Sequence, residues 1–402
     1  MRQGTAAGVR WVNLAIGIGA LWIAVWIYLP APTYFLLTFG VGAPEISHWL
    51  ILASLVGIGL STLSPRGVRR SRVARAGFVT SALTLLLSLG VWVRVPGAIQ
   101  RFDDATRDVS AAPPLALRSR PIVVRDLFRR IDVGEAKVTR NIVFARPNGI
   151  PLRADVYQPL RAGGYPVVVQ IYGGAWQRGQ PSDKSNFATW LAHSGYVVIA
   201  IDYRHAPAWK WPAQIDDVNE ALRWVGAHAH EYDGDTSRVL LIGRSAGAHL
   251  ATMAAWFTSP IHVRGVVSFY GPADLAESYR HPPRPDPIHT RAVEEALLGG
   301  TLAEMPGRYA DASTITHLPT VGHPVPPTLL IYGGRDHIVE ARYGARLVSA
   351  LAATGTAVAY LEIPWAEHAF DEVFNGPSSQ LALYYTERFV AWSSGAATTP
   401  MR

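Results

Sequence analysis

The chain has 402 residues, 49% of them apolar, and a slightly positive mean hydropathy. It contains no cysteine, which excludes disulfides, thiolate zinc sites and a Cys nucleophile. The net charge of +7 is not a nucleic-acid signal: residues 1–120 hold twelve Arg against four acidic residues, a balance of +8, and the remainder is close to neutral.

Trp11 to Leu29 is an apolar run in which Asn13 is the only strongly polar residue. That length suits a bilayer core of ~30 Å. The run is too long for a signal-peptide core, and Pro30-Ala31-Pro32 leads into more apolar sequence. A second run covers 46–63 and a third 76–93, closed by Arg94. Thr33 to Ala43 is apolar but too short to span, so it is expected at the membrane interface, as is His48. Trp11, Trp22, Trp26, Trp49 and Trp92 lie mostly near run ends, as an aromatic belt would place them. Arg2 and Arg10 precede the first span, the loop 30–45 has no Lys or Arg, and the next loop carries Arg66, Arg69, Arg70, Arg72 and Arg75. The positive-inside rule therefore puts the N-terminus in the cytoplasm and everything after Arg94 on the outer face of the plasma membrane. Residues 1–97 read as a membrane module of three spans (11–29, 46–63, 76–93). Residues 98–134, broken at Ala111-Ala112-Pro113-Pro114, read as a linker and interfacial segment.

From residue 135 to 395 the pattern becomes β/α. Val138–Ala145 and Leu152–Tyr157 alternate like a hairpin. Val167–Tyr172, Val197–Asp202, Val239–Gly243, Val263–Tyr270, Thr328–Tyr332 and Ala357–Ile363 are mostly continuous apolar runs, the pattern of strands buried on both faces. Helical stretches fall between them at 185–194, 213–229, 246–257, 341–354 and 378–393. This alternation predicts an α/β class: a mostly parallel, doubly wound sheet flanked by helices, with its site at the strand C-termini. The stretch 272–327 is Pro- and His-rich, helical only over 289–298, and is a candidate cap or substrate loop.

The run Val239–Ile242 ends in Gly243-Arg244-Ser245-Ala246-Gly247, a Gly-x-Ser-x-Gly turn followed by small, helix-competent residues. A serine on such a strand-to-helix turn is held above the sheet at the positive end of a helix. A nucleophilic serine needs a base and a group to orient it. His368 follows the last strand and Asp336 the strand before it, so the chain order is Ser245, Asp336, His368. His249 on the helix after the turn and His337 beside Asp336 are poorer bases, and Glu340 and Glu367 are weaker alternatives for the acid. The strand 167–171 ends in Tyr172-Gly173-Gly174-Ala175-Trp176, whose Gly pair lets backbone amides of Gly173, Gly174 and Ala175 turn toward the serine and join that of Ala246 as an oxyanion hole.

These motifs together resemble the α/β-hydrolase esterases of the hormone-sensitive-lipase and acetyl-esterase group. The resemblance extends to Asp202-Tyr203-Arg204-His205-Ala206-Pro207, to Pro212 with Asp217, Ala221 and Trp224, to Asp233-Gly234-Asp235 with Arg238, and to Tyr270-Gly271-Pro272 with Asp274. It implies a Ser245–His368–Asp336 triad that needs no metal or cofactor. Two positions depart from the group's pattern. Tyr172 stands where its motif has His, and Arg244 where Asp or His is commoner. With Trp176 they are the candidates for specificity. The Gly-Gly-Ala-Trp and Ser-Ala-Gly-Ala-His stretches are also similar to membrane-anchored isoprenylcysteine methylesterases. The reading is a membrane-anchored serine carboxylesterase or lipase-like hydrolase acting on a small-molecule or lipid ester. An acyltransferase using the same triad, or a non-catalytic scaffold of the same fold, is the alternative. The sequence carries no signature of oligomeric state.

Overall fold

The computed structural model describes residues 2–62, 71–111, 118–322 and 324–395. Arg66, Arg69, Arg70 and the Ala112-Pro113-Pro114 break lie outside them. The N-terminal third is helical: α1 (Arg2–Val25), α2 (Tyr34–Glu45), α3 (Ser47–Thr62), α4 (Arg72–Trp92) and α5 (Val95–Thr106). Gly8–Val25 and the Arg72–Thr106 stretch are long and apolar enough to cross a membrane. A third crossing is reached only if α2 and α3, bent by 76° at Ile46, count as one span.

α1, α3 and α4 pack together with the usual polarity reversed. Asn13, Ser54, Ser61, Ser81, Thr84 and Ser88 are buried, while Trp11, Val12, Ile16, Leu55, Val56 and Leu86 face outward. Asn13 Nδ2 donates to the Gly57 carbonyl at 3.1 Å and to Ser61 Oγ at 2.9 Å. Small residues let the backbones approach: a Cβ on Gly57 would lie 2.3 Å from Ser81 Oγ, and one on Gly17 2.5 Å from Thr80 Oγ1. Small residues at helix contacts let backbones approach closely, a pattern also found between membrane helices.

The short apolar piece after the first run forms α2, capped by Thr33, whose hydroxyl accepts from the Leu36 amide. The 98–134 stretch departs from a linker. α5 runs to Thr106 and buries Val95, Ala98, Phe102 and Thr106, a helical stripe. The Phe102 ring meets Tyr385 edge-on at 5.5 Å, and the Tyr385 hydroxyl donates to the Ile99 carbonyl and the Asp103 carboxylate. Farther on, α6 (Val124–Phe128) buries Leu127 and leaves Val124 and Phe128 exposed.

The rest of the chain builds one eight-stranded sheet in the order β1-β2-β4-β3-β5-β6-β7-β8. Its strands are β1 (Lys137–Ala145), β2 (Leu152–Gln158), β3 (Tyr165–Ile171), β4 (Val197–Ile201), β5 (Gly234–Arg244), β6 (Val263–Phe269), β7 (Thr328–Gly333) and β8 (Val358–Ile363). Only the β1–β2 and β2–β4 pairs are antiparallel. The central strands are buried on both faces, as their unbroken apolar runs require, with Val169 opposite Leu241 and Leu241 opposite Val266. Covering helices are α7 (Ser185–His193), α8 (Ala213–His228), α9 (Ala246–Met253), and later α14 (Ala341–Ala353) and α15 (Pro377–Ser393). The 272–327 stretch is more helical than expected, carrying α10 (Leu275–Arg280), α11 (Thr290–Leu298), α12 (Pro306–Asp311) and α13 (Thr314–Val321). Most of these are too short to show a period in sequence. The strand order sets β3 beside β5, so the Gly-Gly loop and the serine turn emerge as neighbours.

The close packing of the N-terminal helices is testable. Gly57→Leu is expected to destabilise the detergent-solubilised protein by on the order of 1–3 kcal/mol, the usual cost of overpacking, read as a fall in the thermal midpoint. An unchanged midpoint would show that α3 and α4 do not approach this closely.

Candidate active site

Ser245 follows β5 with φ 51° and ψ −122°, a backbone conformation costly for any residue with a Cβ. Its amide donates to the Phe269 carbonyl at 2.9 Å, which ties the turn to β6. The flanking glycines are required by contact. A Cβ on Gly243 would sit 2.2 Å from the Gly247 carbonyl oxygen, and one on Gly247 2.2 Å from that of Tyr172.

The structure brings Ser245, His368 and Asp336 together from the ends of β5, β8 and β7. His368 Nε2 is 3.0 Å from Ser245 Oγ and His368 Nδ1 is 2.8 Å from Asp336 Oδ2. The other Asp336 oxygen accepts from the Ile338 and Val339 amides at 2.8 and 2.7 Å. This carboxylate is therefore fixed in orientation and, with Nδ1–H donating to it, leaves Nε2 as the acceptor facing the serine. The rival acids are engaged elsewhere. Glu367 holds His337 Nδ1 at 2.5 Å and accepts from the His337 and His368 amides, and Glu340 pairs with Arg342.

The loop after β3 lies against the serine turn. Ala175 and Trp176 have φ of 56° and 58°, Gly174 a φ of 131°, and a Cβ on Gly173 would lie 2.8 Å from the Arg244 carbonyl oxygen. The amides of Gln177 and Arg178 both donate to the Gly174 carbonyl, closing the loop into a turn beside Ser245. Ala246, nearly fully buried, opens α9. Tyr172 braces this loop from below. Its hydroxyl donates to Asp202 Oδ1 at 2.5 Å and lies 2.9 Å from His205 Nε2, and its ring stacks on Tyr203 at 4.6 Å. Trp176 Nε1 donates to His249 Nδ1 at 3.2 Å, while His249 Nε2 lies 2.6 Å from the Ala312 carbonyl. His249 is thus a neutral bridge from the loop to the cap, away from Ser245. Burial pushes its pKa down to about 4, against a weaker upward pull from the Ala312 carbonyl.

Arg244 is buried beneath the serine, its guanidinium between the Phe187 and Phe269 rings at 4.3 and 4.7 Å. Its Nε donates to Asp371 Oδ2 at 2.5 Å. Tyr270 donates its hydroxyl to the same carboxylate, and the Tyr270 ring packs on the His368 imidazole at 4.5 Å. Burial would raise the Asp371 pKa, but Lys184 and Arg244 hold it well below the ordinary carboxylate range. Sequence reasoning missed Asp371, which has no local motif; its closeness to His368 in sequence is the one available hint.

Ser245 stands between two spaces. One is a cleft of about 700 Å³ bordered by Ser245, His368 and the β3 loop on one side, and by Tyr34, Leu37 and Val41 of α2 on the other. The second, about 40 Å³, is walled by Trp176, Val293, Val339 and Tyr343, with buried Glu294 in its lining. The placement of α2 at the serine was not expected from sequence.

The BD-FAE family matches residues 154–351. Over 245 residues the chain is 30% identical to the carboxylesterase NlhH of Mycobacterium tuberculosis, an alignment covering 55% of this chain and 71% of that protein. The chain belongs to this carboxylesterase family. It is also 32% identical over 244 residues to the probable carboxylic ester hydrolase LipM of the same organism, covering 57% of this chain and 54% of that protein. The chain spans about half the length of the curated relatives that it matches first. Among solved structures, the esterase of Pyrobaculum calidifontis superposes with a TM-score of 0.56 at 23% identity, over 66% of this chain and 88% of that one. That likeness supports the α/β-hydrolase fold of this carboxylesterase-family chain.

The His249 bridge predicts a pH dependence. Its folded pKa lies below the unfolded value of about 6.5, so the unfolded chain binds the extra proton and stability falls as pH drops from about 6.5 toward 4. The full loss amounts to roughly 3 kcal/mol at 1.36 kcal/mol per pKa unit. Denaturant unfolding at pH 7 and pH 4.5 is expected to show a smaller pH penalty for His249→Gln than for wild type.

Proposed function

We propose that this protein is a membrane-anchored serine carboxylesterase. The observation that carries the reading is the Ser245–His368–Asp336 hydrogen-bond chain, with distances of 3.0 and 2.8 Å on the two sides of one imidazole. In the first step His368 Nε2 takes the Ser245 proton as Oγ bonds to the ester carbonyl carbon. The negative charge that develops on the carbonyl oxygen is met by the Gly174, Ala175 and Ala246 amides, with Gly173 shaping the loop. The C–O bond to the alcohol then breaks, and His368 returns the proton to the departing oxygen. Water, deprotonated by His368, attacks the acyl-enzyme carbonyl carbon; the bond to Oγ then breaks, and His368 returns the proton to Ser245 Oγ as the acid leaves. Asp336 stays ionised throughout and stabilises the imidazolium. Arg244, Tyr172 and Trp176 are each tied to a protein partner, so their effect on substrate runs through the shape of the loops they brace.

The anchoring part of the reading rests on the reversed polarity of the α1/α3/α4 packing and on the two membrane-length helices. Arg72 and Arg75 open α4, and its far end, about 30 Å away at 1.5 Å per residue, leads into α5 and the sheet. With arginines inside, the α/β domain lies on the outer face.

Two outcomes are expected. Ser245→Ala is expected to lower kcat for 4-nitrophenyl acetate by on the order of 10⁶ and Asp336→Asn by about 10⁴, with folding retained and with fluorophosphonate labelling lost in Ser245→Ala. Retained turnover would remove the triad. In cell fractionation the full chain should stay with membranes after alkaline carbonate washing and should be cut by protease added outside intact cells; release into the wash, or full protection, would overturn the anchoring or its orientation.

A further inference from the structure

The 34–45 segment is apolar along its whole length, with no charged side chain before Glu45. A helix that is apolar all round is normally buried on every side, yet α2 is not. One face borders the cleft through Leu37, Thr38 and Val41, with Tyr34 at its start. Another leaves Phe35 70% exposed. Leu29, between α1 and α2, Trp49, in the first turn of α3, and Val93, just past α4, are exposed as well. Exposed apolar side chains of this kind, added to those on the outward face of the helix bundle, call for an apolar medium.

α2 is also firmly held. Glu45 accepts from the Ser378 amide at 3.0 Å, and Arg178 donates to the Tyr34 hydroxyl at 2.9 Å. The Arg335 guanidinium donates to the Tyr28 carbonyl just before α2. The wall of the cleft is therefore tied to the α/β part of the chain near both of its ends. On the other side of Ser245 the small pocket is lined by Trp176, Val293 and Tyr343. The two spaces differ in volume by more than a factor of ten (about 700 against about 40 Å³).

We propose that α2 is the specificity wall of the active site, and that the substrate is an ester with one short arm and one long apolar arm. The short arm sits in the small pocket, and the long arm lies along Leu37 and Val41 and runs out toward the bilayer beside Phe35. Ester lipids presented from the membrane fit this description; water-soluble short esters use the same chemistry without the wall. The proposal rests on the serine-esterase reading above.

The test uses the full chain in phosphatidylcholine vesicles, with methyl palmitate and hexadecyl acetate as single-long-arm esters, hexadecyl palmitate as the doubly long one, and 4-nitrophenyl acetate as the short one. At least one single-long-arm ester should be hydrolysed about ten-fold faster, by kcat/KM, than the doubly long ester. Val41→Trp, which narrows the cleft beside α2, should lower kcat/KM for that ester about ten-fold more than for 4-nitrophenyl acetate. Val41→Ser, which makes the wall polar without adding bulk, should move the same ratio in the same direction and serves if Val41→Trp does not fold. An equal fall for all esters, or none, would overturn the proposal while fluorophosphonate labelling of Ser245 leaves the esterase reading standing. Wild type that neither labels nor hydrolyses any of the four esters would sink that reading instead.

Discussion

The site depends on one close approach: the backbone of the serine turn pressed against the backbone of the loop after β3. A Cβ at Gly247 would stand 2.2 Å from the Tyr172 carbonyl oxygen and one at Gly173 3.1 Å from Ser245 Cβ. Such contact is possible only where two adjacent parallel strands end at the same level and both loops begin without side chains. Strand order supplies the first condition, since β3 and β5 are neighbours. Gly173, Gly243 and Gly247 supply the second. Every other feature of the site, from the left-handed Ala175 and Trp176 to the position of Ala246 at the start of α9, follows from holding these two loops together.

A second layer holds this geometry against relaxation. Ser245, Ala175 and Trp176 all carry positive φ, and strained conformations persist only where their surroundings over-determine them. Here the surroundings are two buried polar chains. One runs from Tyr172 to Asp202 and His205, the other from Arg244 through Asp371 to Tyr270 and the face of His368. Arg244 and Tyr172, the two departures from the esterase pattern, are therefore anchors of these chains. A positive charge beside the serine is neutralised by Asp371 before any substrate meets it. Two aromatic faces further fix the guanidinium.

Much of this was legible in the sequence for a simple reason: the strands are continuous β-branched and aliphatic runs, and each candidate residue of the Ser-His-Asp chain follows one of them. Ser245, Asp336 and His368 could be read because their loops are set by the strand before them, and the expected strands differ from the observed ones mainly at their ends. What escaped lacked a local signature. Asp371 acts on Arg244 and Tyr270, 127 and 101 residues away in the chain. The short cap helices offer too few turns for a period to emerge. α5 did carry a readable stripe, Val95, Ala98, Phe102 and Thr106, hidden by the charged residues between them. α2 is the instructive case. Its apolar character was plain, but uniform hydrophobicity has no direction, so nothing in residues 34–45 says which face meets the serine.

Asn13, reaching across to Gly57 and Ser61, shows what kind of unit this is. Its bonds lie inside the bundle, and the bundle in turn carries the stretch that borders the cleft. The buried apolar residues run without a break from Ala24 and Leu37 through Phe102 to the central strands. Helices and sheet are thus one folded body, and the N-terminal helices act as part of the enzyme's architecture beyond any tethering. Transplanting the α/β domain onto a different anchor would preserve the serine and its partners but leave the cleft with one side missing. If α2 is the specificity wall proposed above, exchanging the 12 residues of one apolar helix would change the substrate range and leave the loops around Ser245 untouched.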